Sequence, residues 1–170
     1  MKVLIVRHGV AEDRELFSET GQKDELRPLT ERGRKKIRKN CEGLKCLVPK
    51  VDVIATSPYV RAYQTAEIFA EVYRKKNIFK IKELEPDAPF HLFLEWLKEH
   101  KTKEVVAIVG HEPHLSFLTS KLLSHAESKG FLLLKKGGVG VVEFIDKVQF
   151  GKGVLTLWLP PRVLRSLRAF

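Results

Sequence analysis

The stretch Val3-Leu4-Ile5-Val6-Arg7-His8-Gly9 decides the fold that is predicted for this chain. Four consecutive aliphatic residues favour a strand buried on both faces, as in the middle of a parallel sheet. Because a buried strand has no room for a guanidinium, the strand must reach the surface at Arg7 and His8, and Gly9 lets the backbone turn sharply beside a ligand. Ligands bind at the carboxyl ends of strands in open α/β sheets, so this stretch predicts the edge of a binding site.

Three other aliphatic stretches are predicted to be strands, and each leads into a polar group. They run from Val51 to Ala55 before Ser57, from Ile78 to Lys82 before Glu83, and from Val105 to Val109 before His111. Since the carboxyl ends of parallel strands meet at one edge of a sheet, we expect these groups to lie near His8. Arg61 joins them in the first turn of the next helix, where a cation is electrostatically unfavourable unless an anion lies nearby.

Helices are predicted between and after these strands. The first runs from an N-cap at Thr30 to about Cys46, and the second from an N-cap at Ser57, with Pro58 at its first position, to about Lys76. Two more are expected, from about Ala88 to Glu99 and from the Gly110-His111-Glu112-Pro113 break to about Ser124. The alternation predicts one α/β domain over residues 1–170, with a mostly parallel central sheet and helices on both faces.

The remaining segments are predicted to be a loop, a turn, a hairpin and a short helix. Ala11 to Arg27 is a long polar stretch, expected to be a loop with some helix. Lys135 to Gly140 is basic and glycine-rich but lacks the spacing of a phosphate-binding loop, which favours a turn. A hairpin is expected over Gly138 to Phe150 and Gly153 to Leu159, and a terminal helix from Pro161 to Leu167.

Composition narrows the class of protein without choosing a function. The formal net charge of +10 suits nucleic acid, an anionic surface or a phosphorylated partner. The C-x4-C spacing of Cys41 and Cys46 fits neither a redox pair nor a zinc knuckle, so free thiols are expected. No apolar run approaches the ~20 residues of a membrane span, and Met1-Lys2 leads into the first strand without a secretory signal, so we expect a cytoplasmic protein.

Two histidines and two arginines at one sheet edge suit a dianionic group. The planar guanidinium groups of Arg7 and Arg61 match phosphate oxygens in pairs. Neighbouring cations disfavour protonation of His8 and His111, which keeps a nitrogen lone pair free. A neutral imidazole that faces a phosphorus atom held by arginines is a nucleophile, so the predicted reaction is phosphoryl transfer to histidine and then to water.

This pattern resembles the signature of the histidine phosphatase superfamily. Five stretches carry the similarity. They are Leu4 to Gly9, Arg27 to Gly33, Thr56-Ser57-Pro58 through Arg61 to Gln64-Thr65-Ala66, Glu83 to Pro86, and Val109 to His111. Their order and spacing, over nearly all of the 170 residues, are similar to those of the short SixA-type phosphohistidine phosphatases. The resemblance implies a phosphoglycerate mutase-like fold, which is a three-layer α/β/α sandwich, and an enzyme with no metal and no cofactor.

The resemblance also implies a role for each site residue. His8 would be the nucleophile that becomes phosphorylated, and Arg7, Arg61 and His111 would hold the phosphoryl oxygens. Arg27 would lie near the phosphate pocket. In larger relatives a carboxylate after the third strand protonates the leaving group, and Glu83 is nearest that place; the competitors are Glu85, Glu12 and Asp13. A phosphohistidine substrate depends less than an ester on proton donation from this acid, because its leaving group is an imidazole.

Three functions are compared on this basis. The leading hypothesis is a phosphohistidine phosphatase acting on a protein such as a phosphotransfer domain, because the short loops leave an open, basic site. A general phosphomonoesterase for small phosphate esters or phosphoserine shares the His8 mechanism and differs in its need for an acid. A non-catalytic basic module for nucleic acid or a phosphoprotein would use the net charge, although no nucleic-acid motif is recognised.

A zinc site is the alternative that we considered for the histidines. His111 and His114 are three residues apart, a spacing that can place two side chains on one helix face with His8 as a third ligand. The flanking arginines would repel a cation, and Pro113 indicates that His111 precedes the helix. His114 is therefore expected to line the pocket or to support another residue.

Overall fold

The structure, a computed structural model, describes residues 1–124 and 132–169. Its strands form one six-stranded sheet in the order β3-β2-β4-β1-β5-β6. Their bounds are β1 Lys2–Arg7, β2 Val53–Thr56, β3 Phe79–Lys80, β4 Val105–Gly110, β5 Val139–Glu143 and β6 Val154–Leu159. The pairings among β1 to β4 are parallel, whereas β5 runs antiparallel to both of its neighbours. The prediction of a mostly parallel α/β sheet is confirmed.

Six α-helices connect or follow these strands in the described residues. They are α1 Arg14–Ser18, α2 Glu31–Leu47, α3 Val60–Tyr73, α4 Phe90–Glu99, α5 His114–Leu123 and α6 Pro161–Ser166. Short 3-10 turns cover Asp24–Leu26, Lys82–Leu84 and Leu167–Ala169. None of the helices in this part of the chain combines the length and the apolar character that a bilayer span requires.

Alternating side chains of β1 build the two cores that hold the helices to the sheet. Leu4 and Val6 belong to one apolar cluster, which also includes residues of α2, α3 and α6. Val3 and Ile5 belong to the other, which includes residues of α4 and α5. Strand side chains alternate between faces with a period of two, so a run of four aliphatic residues supplies both cores. The result is the predicted three-layer α/β/α sandwich.

Several predicted boundaries move, each for a local reason. The second strand begins at Val53 rather than Val51, and the residue before it, Asp52, donates its N–H to the Val105 carbonyl at 2.8 Å while its carboxylate accepts the Glu104 and Val105 N–H groups. The third strand shrinks to Phe79–Lys80, since the chain turns into a 3-10 turn at Lys82.

The helix boundaries shift in the same way. Helix α3 begins at Val60 with Tyr59 as N-cap, so the predicted cap at Ser57 is wrong, and it ends at Tyr73 where Arg74 takes a left-handed backbone with φ 55°. Helix α4 begins at Phe90, not at Ala88.

The predictions for the segments outside the parallel part of the sheet are confirmed. The stretch from Ala11 to Arg27 contains α1 and a 3-10 turn, and Ala11 forms an isolated bridge with Leu29. The predicted hairpin is confirmed as β5 and β6, with a bulge between Val141 and Val142. The glycine-rich turn is also confirmed: the Gly138 N–H donates to the Lys135 carbonyl at 2.7 Å.

Candidate active site

The register of β1 and β4 brings the two predicted histidines together. Arg7 pairs with Gly110, so the next residue of β1 lies close to the residue that follows β4. His8 donates its backbone N–H to the Gly110 carbonyl at 3.1 Å. The rings of His8 and His111 are 5.2 Å apart between centroids. The meeting of carboxyl strand ends that the sequence predicts is therefore produced by parallel pairing in this register.

His8 is held so that one ring nitrogen is free. Its Nδ1 atom lies 2.7 Å from the Gly9 carbonyl oxygen. Because a carbonyl can only accept, Nδ1 carries the proton and the neutral ring keeps its lone pair on Nε2. The Gly9 N–H donates to the Thr65 hydroxyl at 3.1 Å, which fixes the peptide beyond the histidine. An imidazole in this tautomer presents Nε2 as a nucleophile or base.

Burial keeps His8 neutral. The side chain is 6% exposed. Burial is the main reason that the pKa of His8 falls to about 3; the bond to Gly9 opposes this, and the charges of Arg61, Arg7 and Lys136 reinforce it. The sequence prediction attributed the neutral state to neighbouring cations, whereas desolvation is the larger cause.

His111 is bound to Ser57, across the neighbouring strand. Its Nε2 atom lies 2.9 Å from the Ser57 hydroxyl, which accepts the Tyr59 N–H at 3.3 Å. Among the described residues Nδ1 is buried and has no hydrogen-bond partner. Burial and the neighbouring charges of His8 and Arg61 lower the pKa of His111 well below its usual value. Ser57, predicted as a helix cap, instead orients this imidazole.

Arg7 is fixed by the segment that leads into β5. Its Nη1 atom donates to the Leu134 carbonyl at 2.6 Å, and its Nε atom is buried without a partner in the described part of the chain. The Gly137 N–H lies 3.1 Å from the Arg7 carbonyl and 3.0 Å from that of His8. The glycine-rich turn thus braces the site and brings the charge of Lys136 near it. Sequence reasoning missed this, because no spacing signal links residues so far apart.

Arg61 and Arg27 are joined by Asp24, which no sequence signal indicated. Arg61 is 5% exposed, and its Nη2 atom lies 3.0 Å from the Asp24 carboxylate. Its Nη1 atom donates to the Asp24 carbonyl at 2.8 Å. Arg27 donates from Nε to the same carboxylate at 2.8 Å and from Nη1 to the Glu12 carbonyl at 2.7 Å. Asp24 is therefore an anion beside the cation in the first turn of α3.

These side chains leave buried donors without a partner around His8. Among the described residues the unpartnered atoms include the donors Arg7 Nε and Arg61 Nε, and also His111 Nδ1, which is a donor in the neutral tautomer whose Nε2 accepts from the Ser57 hydroxyl. Buried polar groups in folded proteins are normally hydrogen-bonded, so such exceptions need an explanation. An anion with several acceptor oxygens would satisfy them together, and a phosphoryl group has this chemistry.

Glu83, the predicted acid, lies in a groove beside the histidines. It belongs to the Lys82–Leu84 turn and lines an open depression of about 320 Å³ together with Tyr59, Glu85, Asp87 and other residues. The Tyr59 ring packs 5.0 Å from the His111 ring, so the groove adjoins the site. Of the competing acids, Glu85 lines the same groove, whereas Asp13 caps α1.

His114 is buried beside the groove and supports its wall. The first residue of α5, it places Nε2 3.0 Å from the Ala88 carbonyl and packs its ring against Phe90 at 4.9 Å. The zinc alternative requires His8, His111 and His114 to converge. Within residues 1–124 and 132–169, no group of three or more His, Cys, Asp or Glu side chains is arranged to hold a metal ion. Cys41 and Cys46 are free thiols, the first buried and the second exposed.

The chain is similar to known proteins in sequence and in fold. The histidine phosphatase superfamily (branch 1) matches residues 3–85. An uncharacterized protein of Picosynechococcus sp. is 32% identical over 141 residues, which are 82% of each chain. The solved structure of the protein histidine phosphatase SixA complexed with tungstate is 23% identical, with a TM-score of 0.80 over 95% of this chain and 98% of SixA. The alpha-ribazole phosphatase from Shigella flexneri is 18% identical, with a TM-score of 0.74 over 95% and 97%. The chain therefore belongs to the histidine phosphatase superfamily, and it has the phosphoglycerate mutase-like fold of SixA.

Proposed function

We propose that this protein is a phosphohistidine phosphatase that works through a covalent intermediate on His8. The observation that carries the proposal is the hydrogen bond from His8 Nδ1 to the Gly9 carbonyl. This bond leaves the Nε2 lone pair free, beside two arginines and a second histidine whose donors lack partners among the described residues. Such a set suits attack on a phosphorus atom whose oxygens are held by cations.

In the first step, His8 Nε2 attacks the phosphorus atom of the substrate while the bond to the leaving group breaks. Arg7, Arg61 and His111 Nδ1–H bind the phosphoryl oxygens, and Arg27 adds positive charge near them. His8 becomes cationic when Nε2 is phosphorylated, so its Nδ1–H bond to Gly9 strengthens. In the second step, water attacks the phosphorus atom, the nitrogen–phosphorus bond breaks, phosphate leaves, and the lone pair returns to Nε2.

The open groove favours a phosphorylated protein as the substrate. The leaving group must depart on the side away from His8, and we propose that it lies in the open groove beside Tyr59. An imidazole leaving group takes its proton from solvent or a weak acid, so Glu83 can contribute little to phosphohistidine hydrolysis. The similarity to SixA supports this substrate class. A phosphotransfer domain is the kind of partner that we propose, in the cytoplasm.

A general phosphomonoesterase is the second candidate. Glu83 lines the groove at the place where an alkoxide would leave, and the alpha-ribazole phosphatase has the same fold. If Glu83 protonates that oxygen, phosphate esters become substrates. The requirement for an acid therefore separates the two enzymes.

The test measures phosphate release without added metal from a phosphohistidine-bearing protein, p-nitrophenyl phosphate and a phosphoserine peptide. The native protein is compared with His8→Ala, Glu83→Gln and the control His91→Ala, which changes an exposed histidine of α4. We expect phosphohistidine to be hydrolysed far faster than the esters, with activity lost in His8→Ala and kept in the other two. Fast ester hydrolysis that falls in Glu83→Gln would favour the phosphomonoesterase, and no release that depends on His8 would contradict both enzymes.

A further inference from the structure

Asp24 holds two of the cations of the site and has no place in the mechanism above. Its carboxylate accepts from Arg27 Nε at 2.8 Å and lies 3.0 Å from Arg61 Nη2, while its carbonyl accepts from Arg61 Nη1 at 2.8 Å. A third cation, Arg14, is 3.8 Å away and exposed. Burial raises the pKa of Asp24, but the bond from Arg27 and the charges of the three arginines outweigh it, so the pKa is lowered and the group is ionised at neutral pH.

The contacts with Asp24 fix the plane of the Arg61 guanidinium. Both terminal nitrogens of Arg61 bind a single residue, which removes rotation about the last side-chain bonds. The remaining Nε donor is buried and has no partner in the described part of the chain. A guanidinium whose plane is set in advance loses less freedom when it binds a phosphoryl oxygen.

Asp24 also lets two buried cations lie side by side. Arg61 and Arg27 repel each other: the charge of Arg27 contributes to lowering the pKa of Arg61, after burial, and Asp24 opposes both effects. Without a carboxylate between them, one guanidinium would gain by turning toward solvent, since a buried, unpaired charge is costly. The 3-10 turn that carries Asp24 lies in the segment from Ala11 to Arg27, for which the sequence predicts a loop with some helix.

We propose that Asp24 is a positioning residue that holds Arg61 and Arg27 in the orientation required for the phosphoryl group. The identity of the ligand rests on the proposed function. The proposal makes a prediction opposite to that of simple electrostatics. Removing a negative charge beside an anion site should tighten anion binding by Coulomb's law, whereas releasing two positioned arginines should weaken it.

The experiment measures the binding of inorganic phosphate by calorimetry to the native protein, Asp24→Asn and Glu25→Gln. Glu25 is the matched control, because it is exposed, lies in the same turn and has no ion pair among the described residues. It is also close to the site: after burial, its charge contributes to raising the pKa of Tyr59. We expect Asp24→Asn to weaken phosphate binding about tenfold or more, since hydrogen bonds to charged groups are lost. Glu25→Gln should leave binding unchanged or tighter.

Activity and folding separate positioning from a structural role. In Asp24→Asn, the KM for the phosphohistidine-bearing protein should increase by about the same factor as the Kd for phosphate. The midpoint of urea unfolding checks that this variant is folded. Asp24→Glu should recover part of the affinity, because it restores the charge. If phosphate binding in Asp24→Asn is unchanged or tighter, the inference about Asp24 is wrong. The proposed function still holds in that case if the native protein shows activity that is lost in His8→Ala. A native protein that binds no phosphate and has no such activity overturns both.

Discussion

The imidazole of His8 shows how one buried residue can keep a free nitrogen lone pair and still weaken the fold at low pH. Its Nδ1 proton is committed to the Gly9 carbonyl, and its pKa is lowered to about 3, mainly by burial. The group therefore stays neutral throughout the physiological range. An unfolded histidine has a pKa near 6.5, so the unfolded state binds a proton that the folded state refuses.

This difference predicts that stability falls with pH in a defined window. Because the pKa of His8 is lower in the folded state than in the unfolded state, neutral His8 contributes fully to the free energy of unfolding above about pH 6.5. This contribution is lost progressively as the pH falls toward 3. Between pH 7.5 and pH 5 we expect His8 to cost about 2 kcal/mol of unfolding free energy. Urea denaturation of the native protein and His8→Gln at both pH values checks this. Equal losses in the two proteins would contradict it.

Helix α2 illustrates how a single element connects the site to the rest of the fold. At its start, the N-cap hydroxyl of Thr30 accepts the Gly33 N–H at 2.9 Å and lies 3.2 Å from the Val10 carbonyl. A Cβ at Gly33 would lie 2.1 Å from that carbonyl oxygen. Near its other end, a Cβ at Gly43 would lie 1.7 Å from the Leu164 carbonyl oxygen in α6. At both glycines another backbone segment lies against the helix. Only Gly33 contacts the loop that follows His8, through Val10.

We therefore expect Gly33→Ala and Gly43→Ala to differ in activity while both lose stability. Each new methyl group meets backbone that cannot turn away, and overpacking of this kind costs about 1–3 kcal/mol, partly offset by the higher helix propensity of alanine. Urea unfolding should show both losses. Of the two folded variants, Gly33→Ala should lose phosphate release at least tenfold, since small displacements in a site are costly. The Gly43→Ala variant should keep its activity, and a comparable loss there would contradict this view of α2.

At the scale of the whole molecule, the charge of the groove beside the site is opposite in sign to the net charge of the chain. The formal net charge is +10, yet the groove beside Tyr59 is lined by three carboxylates, those of Glu83, Glu85 and Asp87, and by one cation, Lys82. None of these three carboxylates takes part in an ion pair within the described residues. In the proposed binding mode, cations lie at the phosphoryl position and the carboxylates of the groove lie near the leaving group.

This arrangement predicts a preference for basic residues next to the phosphohistidine. Peptides with a phosphorylated histidine between lysines should be hydrolysed with a kcat/KM about tenfold above that of peptides with flanking glutamates at low ionic strength. Added salt should shrink the difference. The double substitution Glu85→Lys with Asp87→Lys should reverse the preference, while Glu95→Lys with Glu99→Lys, the same charge change on the exposed surface of α4, should not. Equal rates for both peptides would contradict the prediction.

The sequence alone determined the layers of the fold and the positions at which polar groups leave the sheet. Four aliphatic residues followed by Arg7 and His8 favour a buried strand whose end carries polar side chains, and the pattern repeats before His111. Such signals are local, because solvation decides them residue by residue. The N-cap of α2 at Thr30 was readable for the same reason.

Tertiary structure alone decided how those groups are paired. The register of β1 with β4 sets His8 beside His111, and the fold brings Ser57 to His111 and Asp24 to Arg61. The Ser57 and Asp24 contacts to His111 and Arg61 join residues 54 and 37 positions apart. No periodicity reports them, because partners at such separations are chosen by the packing of whole strands and helices against one core.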